Sequence, residues 1–182
     1  MIQAKTEKSN RLSHGDILRD IEHITNLQEI SGELIISKVM YPYIIILTQD
    51  CDLMQDFRYR SDSELNDKLL MSVLVAPLYN AEMIYSGEHL HNLGRKAAVI
   101  NKGKTDGKFL RKNQNPRYHY LEFPEEIPIV DSVVDFKHYF SVPVQYLEAQ
   151  KETKFGCGVS KLFREDISQR FSAFLSRIAL PE

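Results

Sequence analysis

Short apolar runs separated by polar turns indicate that the first half of the chain is mostly β-strand. Residues 41–47 (YPYIIIL) form an unbroken apolar run that ends at a polar cluster. A run of this length and composition predicts a strand buried on both faces. Residues 69–78 form a second run of this kind, and weaker strand patterns cover residues 17–24 and 33–39, on either side of a turn at Ser31 and Gly32.

The second half mixes strand and helix patterns. Residues 81–92 weakly favour a helix that Gly94 ends, and residues 118–123 alternate as in a strand. Residues 133–147 carry apolar side chains at every second position, which predicts one long strand with Pro143 at an edge or a bulge. Residues 160–180 repeat apolar side chains at helical spacing, with the Ser160 hydroxyl as the N-cap and Pro181 as the stop.

These elements predict an α+β fold. The sheet is expected to be a bent antiparallel sheet or an SH3-like barrel of about six strands. The C-terminal amphipathic helix, residues 160–180, is expected to pack on its open side.

The composition fits one domain. Of 182 residues, 43% are hydrophobic and 26% are charged, as in an ordinary globular protein. We expect a loose leader at residues 1–13 and a single β-rich domain over residues 14–182. The apolar runs are too short to cross a bilayer, and no signal-peptide pattern occurs. Cys51 and Cys157 lack CxxC spacing, which argues for a reducing, cytoplasmic location without a zinc ribbon or a disulfide scaffold.

Positive charge is concentrated in one segment. Residues 95–117 hold eight basic residues and one acid, a local charge of +7, so the rest of a chain with net charge −2 carries −9. Clustered positive charge attracts a phosphate backbone, and adjacent tyrosines offer stacking faces to unpaired bases. A solvated or intramolecularly paired flexible loop and an acidic protein partner are the alternatives. The candidate nucleic-acid-binding residues are Arg95, Lys96, Lys102, Lys104, Lys108, Arg111, Lys112, Arg117, Tyr118 and Tyr120.

A polar cluster, residues 48–52, follows the first buried run. Asp50 and Asp52 flank the Cys51 thiol, an arrangement that suits a divalent metal or a reactive cysteine. Neighbouring negative charge, however, raises the pKa of a thiol and reduces its thiolate fraction. In a strand, the two carboxylates share one side and Cys51 faces the other. The structural alternative is a buried Cys51 beside an aspartate that caps a turn.

The histidines give weak signals. His119, Asp135 and His138 form an acid–base or metal set only if their strands pair, and the predicted alternation places His138 in the core with Asp135 on the other side. No HxxxH or HExxH spacing occurs, so we predict neither a metal site nor a cofactor. His89 and His91 are interpreted as solvated.

Three segments, Gly15-Asp16-Ile17-Leu18, residues 41–47 and residues 73–78, together resemble the first strands of the PemK/MazF toxin family. Pro42 and Pro77 stand at the prolines of the family's second and third strands, and residues 48–73 would contain an insertion. The resemblance covers roughly the first half of the chain. It implies a small, strongly bent antiparallel barrel.

The family cleaves single-stranded RNA with an arginine before the first of these prolines and a serine or threonine after the second. Here those positions hold Tyr41 and then Leu78 and Tyr79. Tyrosine lacks the permanent charge and the planar paired donors of a guanidinium. The resemblance therefore implies a divergent, non-catalytic binding module. Such a member would be an auxiliary component of a bacterial defence or toxin–antitoxin-like system, in contact with RNA, DNA or a protein from the same operon.

Two enzymatic alternatives stay open. A divergent endoribonuclease needs a new catalytic set, for which His119 is the candidate general base or acid and Arg117 the candidate phosphate clamp. Asp50 and Asp52 complete that candidate set. A metal-dependent enzyme would instead be centred on Asp50, Cys51 and Asp52.

Overall fold

The apolar run at residues 41–47 lies at the centre of a curled antiparallel sheet. The structure, a computed structural model, describes residues 4–61 and 66–177. The strands are β1 (Ala4–Lys5), β2 (Asp16–Ile30), β3 (Glu33–Ile46), β4 (Ser72–Asn80), β5 (Tyr118–Leu121), β6 (Ser132–Asp135), β7 (Phe140–Pro143) and β8 (Phe155–Val159). The helices are α1 (Asp50–Tyr59), α2 (Ala81–Ser86), α3 (Thr105–Arg111), α4 (Val144–Lys154) and α5 (Lys161–Leu175). Within the described ranges, no helix is long and apolar enough to span a membrane.

The sheet has the order β1-β8-β2-β3-β4-β6-β5, and β7 pairs with a further part of β4. Strand β3 lies between β2 and β4, because Ile45 is opposite Ile17 on one side and opposite Ala76 on the other. The two apolar runs are therefore antiparallel neighbours, and the sheet curls into a half-barrel. The predicted fold class, with a bent antiparallel sheet and a C-terminal helix packed on it, is confirmed.

Strand β3 is buried on both faces because a separate core lies on each. Ile45 faces a core that α5 covers, whereas Ile44 and Ile46 face a core that α1 and α4 cover. The helices contribute Ile167, Phe171 and Phe174 to the first core and Leu53, Val144 and Leu147 to the second. A third, smaller cluster packs α2 and α3 against β5 and β6.

Residues 133–147 do not form the single long strand that their alternation predicts. Strand β6 ends at Asp135, whose carboxylate accepts a hydrogen bond from the Lys137 amide at 3.0 Å and opens a 3₁₀ turn over Phe136–His138. Aspartate side chains that bond a backbone amide two residues on favour turns over strands. Strand β7 follows, and α4 begins directly after Pro143. Pro143 lies in a strand with β4 as its partner, outside the main strand order, so its predicted edge position is confirmed.

The start of α5 differs from its prediction. The Ser160 hydroxyl makes no capping hydrogen bond and has no partner among the described residues, so the predicted cap is wrong. Ser160 directly follows β8 and is only 8% exposed, which turns its hydroxyl inward. Ile178, Leu180 and Pro181, which the helix prediction included, lie outside the described residues.

Residues 4–13 are held against the sheet at several points. Strand β1 pairs with β8, and Leu12 is 2% exposed in the core beneath α4. The buried ammonium of Lys151 donates to Asp16 Oδ2 at 2.7 Å and to Ser9 Oγ at 3.1 Å. A buried lysine needs such partners because an unpaired buried charge is costly. These contacts connect residues 4–13 to the sheet and to α4.

Strands β2 and β3 extend beyond their neighbours as a two-stranded arm. Strand β2 pairs with β8 only as far as Leu18, and β3 pairs with β4 only from Ile44. The two strands pair with each other to the tip, where Ser31 and Gly32 have φ of 54° and 81°, as a two-residue type I′ turn requires. The strands predicted at residues 33–39 and 41–47 are thus one continuous strand. We call residues 22–40 the arm.

We expect Ile45→Ala to lower the free energy of unfolding by about 2–5 kcal/mol, because Ile45 is 0% exposed between two strands. Ile35→Ala is the matched control: it removes the same atoms from a side chain of the same strand that is 46% exposed on the arm. The control should change the free energy of unfolding by less than about 0.5 kcal/mol. Urea denaturation measures both, and equal losses would contradict the central position of Ile45.

Candidate functional site

The basic segment contains α3 and is therefore not the flexible loop that one interpretation of the sequence describes. Leu110 is fully buried in the third cluster and fixes one side of the helix. At Gly107 a Cβ atom would lie 2.4 Å from the Asn101 carbonyl oxygen, so only glycine allows α3 to pack this closely on the preceding chain. The basic side chains are therefore carried on a packed support.

Seven of the predicted basic residues have exposed side chains. Lys102 is paired with Glu82, and Arg111 Nη2 lies 3.8 Å from Glu122 Oε1. Within residues 4–61 and 66–177, the other five form no ion pair. We call these seven residues the basic surface: Arg95, Lys96, Lys102, Lys104, Lys108, Arg111 and Lys112.

Lys104, Lys108 and Lys112 form a row: Lys104 and Lys112 cap the two ends of α3, and Lys108 lies between them. The Lys108 amide donates to the Lys104 carbonyl at 3.1 Å, and the Lys112 amide donates to the Lys108 carbonyl at 3.0 Å. Residues four apart on a helix lie on one face about 5–6 Å apart between Cβ atoms. Like charges at this spacing destabilise the helix slightly, and no acidic side chain of the described part is paired with them. An external anion bound along the row would reduce the repulsion between these lysines.

An aromatic ring lies beside this row, although not the one that the sequence predicts. Tyr118 and Tyr120 are 7% and 9% exposed and pack in the third cluster, with the Tyr120 hydroxyl donating to Asp131 at 2.8 Å. Their rings are therefore not free to stack on a base. Phe109 of α3 is 46% exposed instead. It is the one aromatic residue within 95–117, a signal that sequence reasoning missed.

The end of the basic segment is fixed by side chains. Asn113, with φ of 56°, accepts a hydrogen bond from the Tyr120 amide at 2.6 Å and donates to the Tyr120 carbonyl at 3.1 Å. Arg170 of α5 donates to the carbonyls of Asn113, Asn115 and Tyr118, the last two at 2.8 Å. Arg170 was not a predicted site residue, because nothing local in the sequence connects it with residues 113–118.

Arg117 forms an ion pair with the buried Asp135. Its Nε donates to Oδ1 of Asp135 at 2.8 Å, and its Nη2 donates to Oδ2 of the same carboxylate. Asp135 is 0% exposed, and its hydrogen bond to the guanidinium raises the pKa of Arg117. Oδ2 also lies 3.3 Å from Nδ1 of His138, which is 3.2 Å from the Tyr79 hydroxyl oxygen. Asp135 and His138 thus meet through the 3₁₀ turn, contrary to the predicted strand alternation. The Asp135 carboxylate uses two of the five N–H groups of Arg117 and neutralises its charge.

His119 is enclosed on the opposite side of β5 from Tyr118 and Tyr120. It is 3% exposed, and its Nδ1 has no hydrogen-bond partner in the described part of the chain. Burial, together with the positive charge of Arg170, lowers the pKa of His119 to about 3. The Asp166 carboxylate lies 4.0 Å from Nδ1, too far for a hydrogen bond. A neutral, enclosed imidazole with this pKa is poorly suited to exchange protons near neutral pH.

The polar cluster at residues 48–52 begins a helix rather than ending a strand. Asp50 accepts hydrogen bonds from Arg11 at 3.0 and 3.1 Å and lies 3.5 Å from Arg164. Burial alone would raise the pKa of Asp50, but these guanidinium groups outweigh it and lower the pKa. Cys51 is exposed, so its interpretation as a buried structural cysteine is wrong. It borders a surface cavity of about 340 Å³ with Asp50, Arg164 and Ser168.

His89 is buried, contrary to the solvated position predicted for it, whereas His91 is exposed. Its ring centroid lies 5.0 Å from that of Tyr79 and 6.3 Å from that of His138. Burial lowers its pKa, and neither ring nitrogen has a hydrogen-bond partner among the described residues. His89 and Tyr79 line a cavity of about 300 Å³ at the base of the arm.

The candidate catalytic residues have separate partners. Arg117 contacts Asp135, His119 lies beside Asp166, and Asp50 contacts Arg11 and Arg164. Within the described ranges, no group of three or more His, Cys, Asp and Glu side chains is placed to hold a metal ion.

Comparison with protein-family models, with curated proteins and with solved structures finds no match for this chain.

We expect the buried His119 to make the fold sensitive to mild acid. Its pKa is about 3 in the folded chain and 6.5 as a free side chain, so the unfolded state binds more protons between these values and stability falls as pH drops. From pH 6.5 to pH 5, His119 should account for a loss of about 2 kcal/mol. Urea denaturation of the wild type and of His119→Gln at several pH values measures this difference. Parallel curves for the two proteins would contradict the lowered pKa.

Proposed function

We propose that this protein is a non-catalytic module that binds single-stranded nucleic acid through the basic surface. The row of exposed Lys104, Lys108 and Lys112, without acidic partners in the described part, carries the proposal. A phosphate backbone would place negative charge along this row and remove the repulsion between its lysines. Binding would release counterions from the nucleic acid and would weaken as salt rises.

The charge of the remaining chain favours the same surface. Residues outside 95–117 carry a net charge of −9, so they repel a polyanion over most of the molecule. Opposite potentials on two parts of a surface orient a charged ligand before contact. A nucleic acid would therefore approach the basic surface.

Phe109 favours an unpaired strand over a duplex. Its half-exposed ring lies on α3, which contains Lys108 and is flanked by Lys104 and Lys112. Unpaired bases offer flat faces that stack on aromatic side chains, and this contact tolerates any sequence. Bases in a duplex are already stacked on one another, so Phe109 would contribute to binding only a single strand.

The state of the catalytic candidates supports binding without cleavage. The Arg117 guanidinium is held by Asp135, and the His119 imidazole is enclosed with a pKa of about 3. Asp135 thus compensates the positive charge that a phosphate clamp would supply, and the imidazole is poorly suited to act as a general acid–base near neutral pH. Tyr41 and Leu78 also occupy the places where the PemK/MazF family, which the sequence resembles, has its catalytic pair.

We therefore propose a divergent PemK/MazF-like module, an auxiliary component of a bacterial defence or toxin–antitoxin-like system. The curled antiparallel sheet is compatible with the small barrel of that family. A cytoplasmic location belongs to the same proposal, because the free thiols Cys51 and Cys157 suit a reducing compartment.

The variant Lys104→Gln/Lys108→Gln/Lys112→Gln should weaken binding of a single-stranded RNA oligonucleotide. The slope of log affinity against log salt should decrease in magnitude by about 2, because each phosphate contact on a single strand contributes about 0.7. Fluorescence anisotropy at several salt concentrations measures both quantities. The control is Lys5→Gln/Lys137→Gln/Lys161→Gln, which removes the same charge from exposed lysines outside the basic surface. Equal losses in the two variants, or no binding by the wild type at low salt, would contradict the proposal.

Phe109→Leu should weaken single-strand binding by about 1–3 kcal/mol through the loss of one stacked base, and should leave the weaker duplex binding unchanged. Phe57→Leu is the control, because Phe57 is a partly exposed phenylalanine on another helix.

A test for cleavage incubates the protein with the oligonucleotide, with and without magnesium, and then measures the length of the recovered oligonucleotide. Cleavage that His119→Gln abolishes would contradict a non-catalytic role and favour the endoribonuclease alternative.

A further inference from the structure

The cavity that His89 lines lies where strands β3 and β4 separate. The two strands pair from Ile46 to Ile44, which is opposite Pro77. Pro77 has no amide hydrogen, which suits the end of a ladder. Beyond this point β4 pairs with β6 from Leu78 to Asn80, whereas β3 belongs to the arm and pairs only with β2. The cavity occupies the gap between the two diverging strands.

The walls of the cavity are mainly apolar and aromatic. Strand β3 contributes Tyr41 and Tyr43, and β4 contributes Tyr79. Met40 and Met83 also line the cavity and are 48% and 40% exposed, so it opens to solvent. Aromatic rings favour flat partners in offset or edge-to-face contact, and methionine adapts to their shape.

Charge restricts the ligand further. None of the described residues that line the cavity carries a formal charge at pH 7. An ion bound there would lose water without gaining an opposite charge on the walls. The cavity therefore suits an uncharged, flat molecule.

One polar side chain of the wall lacks a partner. His89 is 7% exposed, and neither ring nitrogen has a hydrogen-bond partner among the described residues. An unpaired buried nitrogen is costly, and the cavity is the space beside the ring from which a partner can come. Both nitrogens are shielded from solvent, so a small rotation of the side chain would accompany such a bond. A neutral imidazole donates from one nitrogen and accepts at the other, so it matches either kind of polar atom.

We propose that this cavity binds a small, uncharged molecule of two fused aromatic rings, with one polar ring atom that forms a hydrogen bond with His89. The volume of about 300 Å³ is at the lower end of the roughly 300–1,000 Å³ found for ligand cavities, which suits two rings better than a larger ligand. None of the residues of the basic surface lines the cavity. The ligand is therefore a free molecule rather than a base of a bound strand.

Titration with indole tests the proposal. The chain contains no tryptophan, so the fluorescence of indole reports its binding without interference from an indole side chain. We expect saturable binding that benzimidazole displaces. Indene has the same fused-ring shape without a nitrogen, and should bind about tenfold more weakly because it lacks the hydrogen bond.

The contribution of His89 has its own test. His89→Phe keeps a flat ring and removes both nitrogens. It should weaken indole binding about tenfold and leave indene binding unchanged, a difference that a merely structural role of His89 would not produce. Equal effects on indole and indene would overturn the proposal.

Met83→Glu places a negative charge on the wall of the cavity and should weaken indole and indene alike, by about tenfold or more. Met54→Glu is the matched control, because Met54 is a methionine of nearly the same exposure, 39%, on α1 and does not line the cavity. The control should bind indole as the wild type does. Equal losses in the two variants would contradict the position of the ligand.

Two further results separate this site from the basic surface. Lys104→Gln/Lys108→Gln/Lys112→Gln should bind indole as the wild type does, whether or not the basic surface binds RNA. Displacement of indole by a saturating single-stranded RNA oligonucleotide would make a base the occupant and would overturn the assignment of a free ligand. The absence of saturable binding of both indole and benzimidazole would overturn the proposal as a whole.

Discussion

Burial of β3 on both faces is the constraint on which the rest of the structure depends. Three consecutive isoleucines point alternately into two cores, so the sheet cannot leave either face open to water. Helix α5 is needed on one side, and α1 with α4 on the other. The basic surface is placed by a separate cluster, in which α3 packs with α2 on β5 and β6.

The sequence predicts well those parts of the fold in which composition alone decides the environment. Ile44–Ile46 and Val73–Ala76 are apolar enough to require a two-sided core, and Phe171 and Phe174 share one face of a regular helix. Prediction fails between residues 133 and 147. There a period of two is interrupted by the side-chain hydrogen bond of Asp135, and the same positions also fit the start of a helix. Periodicity cannot distinguish these cases, because the deciding contacts come from elsewhere in the chain.

The site was predictable in its charge and not in its geometry. The sequence shows how many lysines the segment contains. Their arrangement in a row depends on α3, whose packing requires Gly107 beside Asn101 and the burial of Leu110. Tyr118 and His119 have the residue types expected of a binding or catalytic site. Tertiary packing buries both, and the strand order that buries them is not encoded locally.

The three carbonyl groups held by Arg170 join the last helix of the described chain to the end of the basic segment. A guanidinium stays protonated at any physiological pH, so this clamp does not open by titration. Displacement of α5 would release residues 113–118, and any contact that immobilises those residues would in turn hold α5 in place. Helix α5 and the chain between α3 and β5 therefore form one cooperative unit, whose backbone amides should exchange with solvent together.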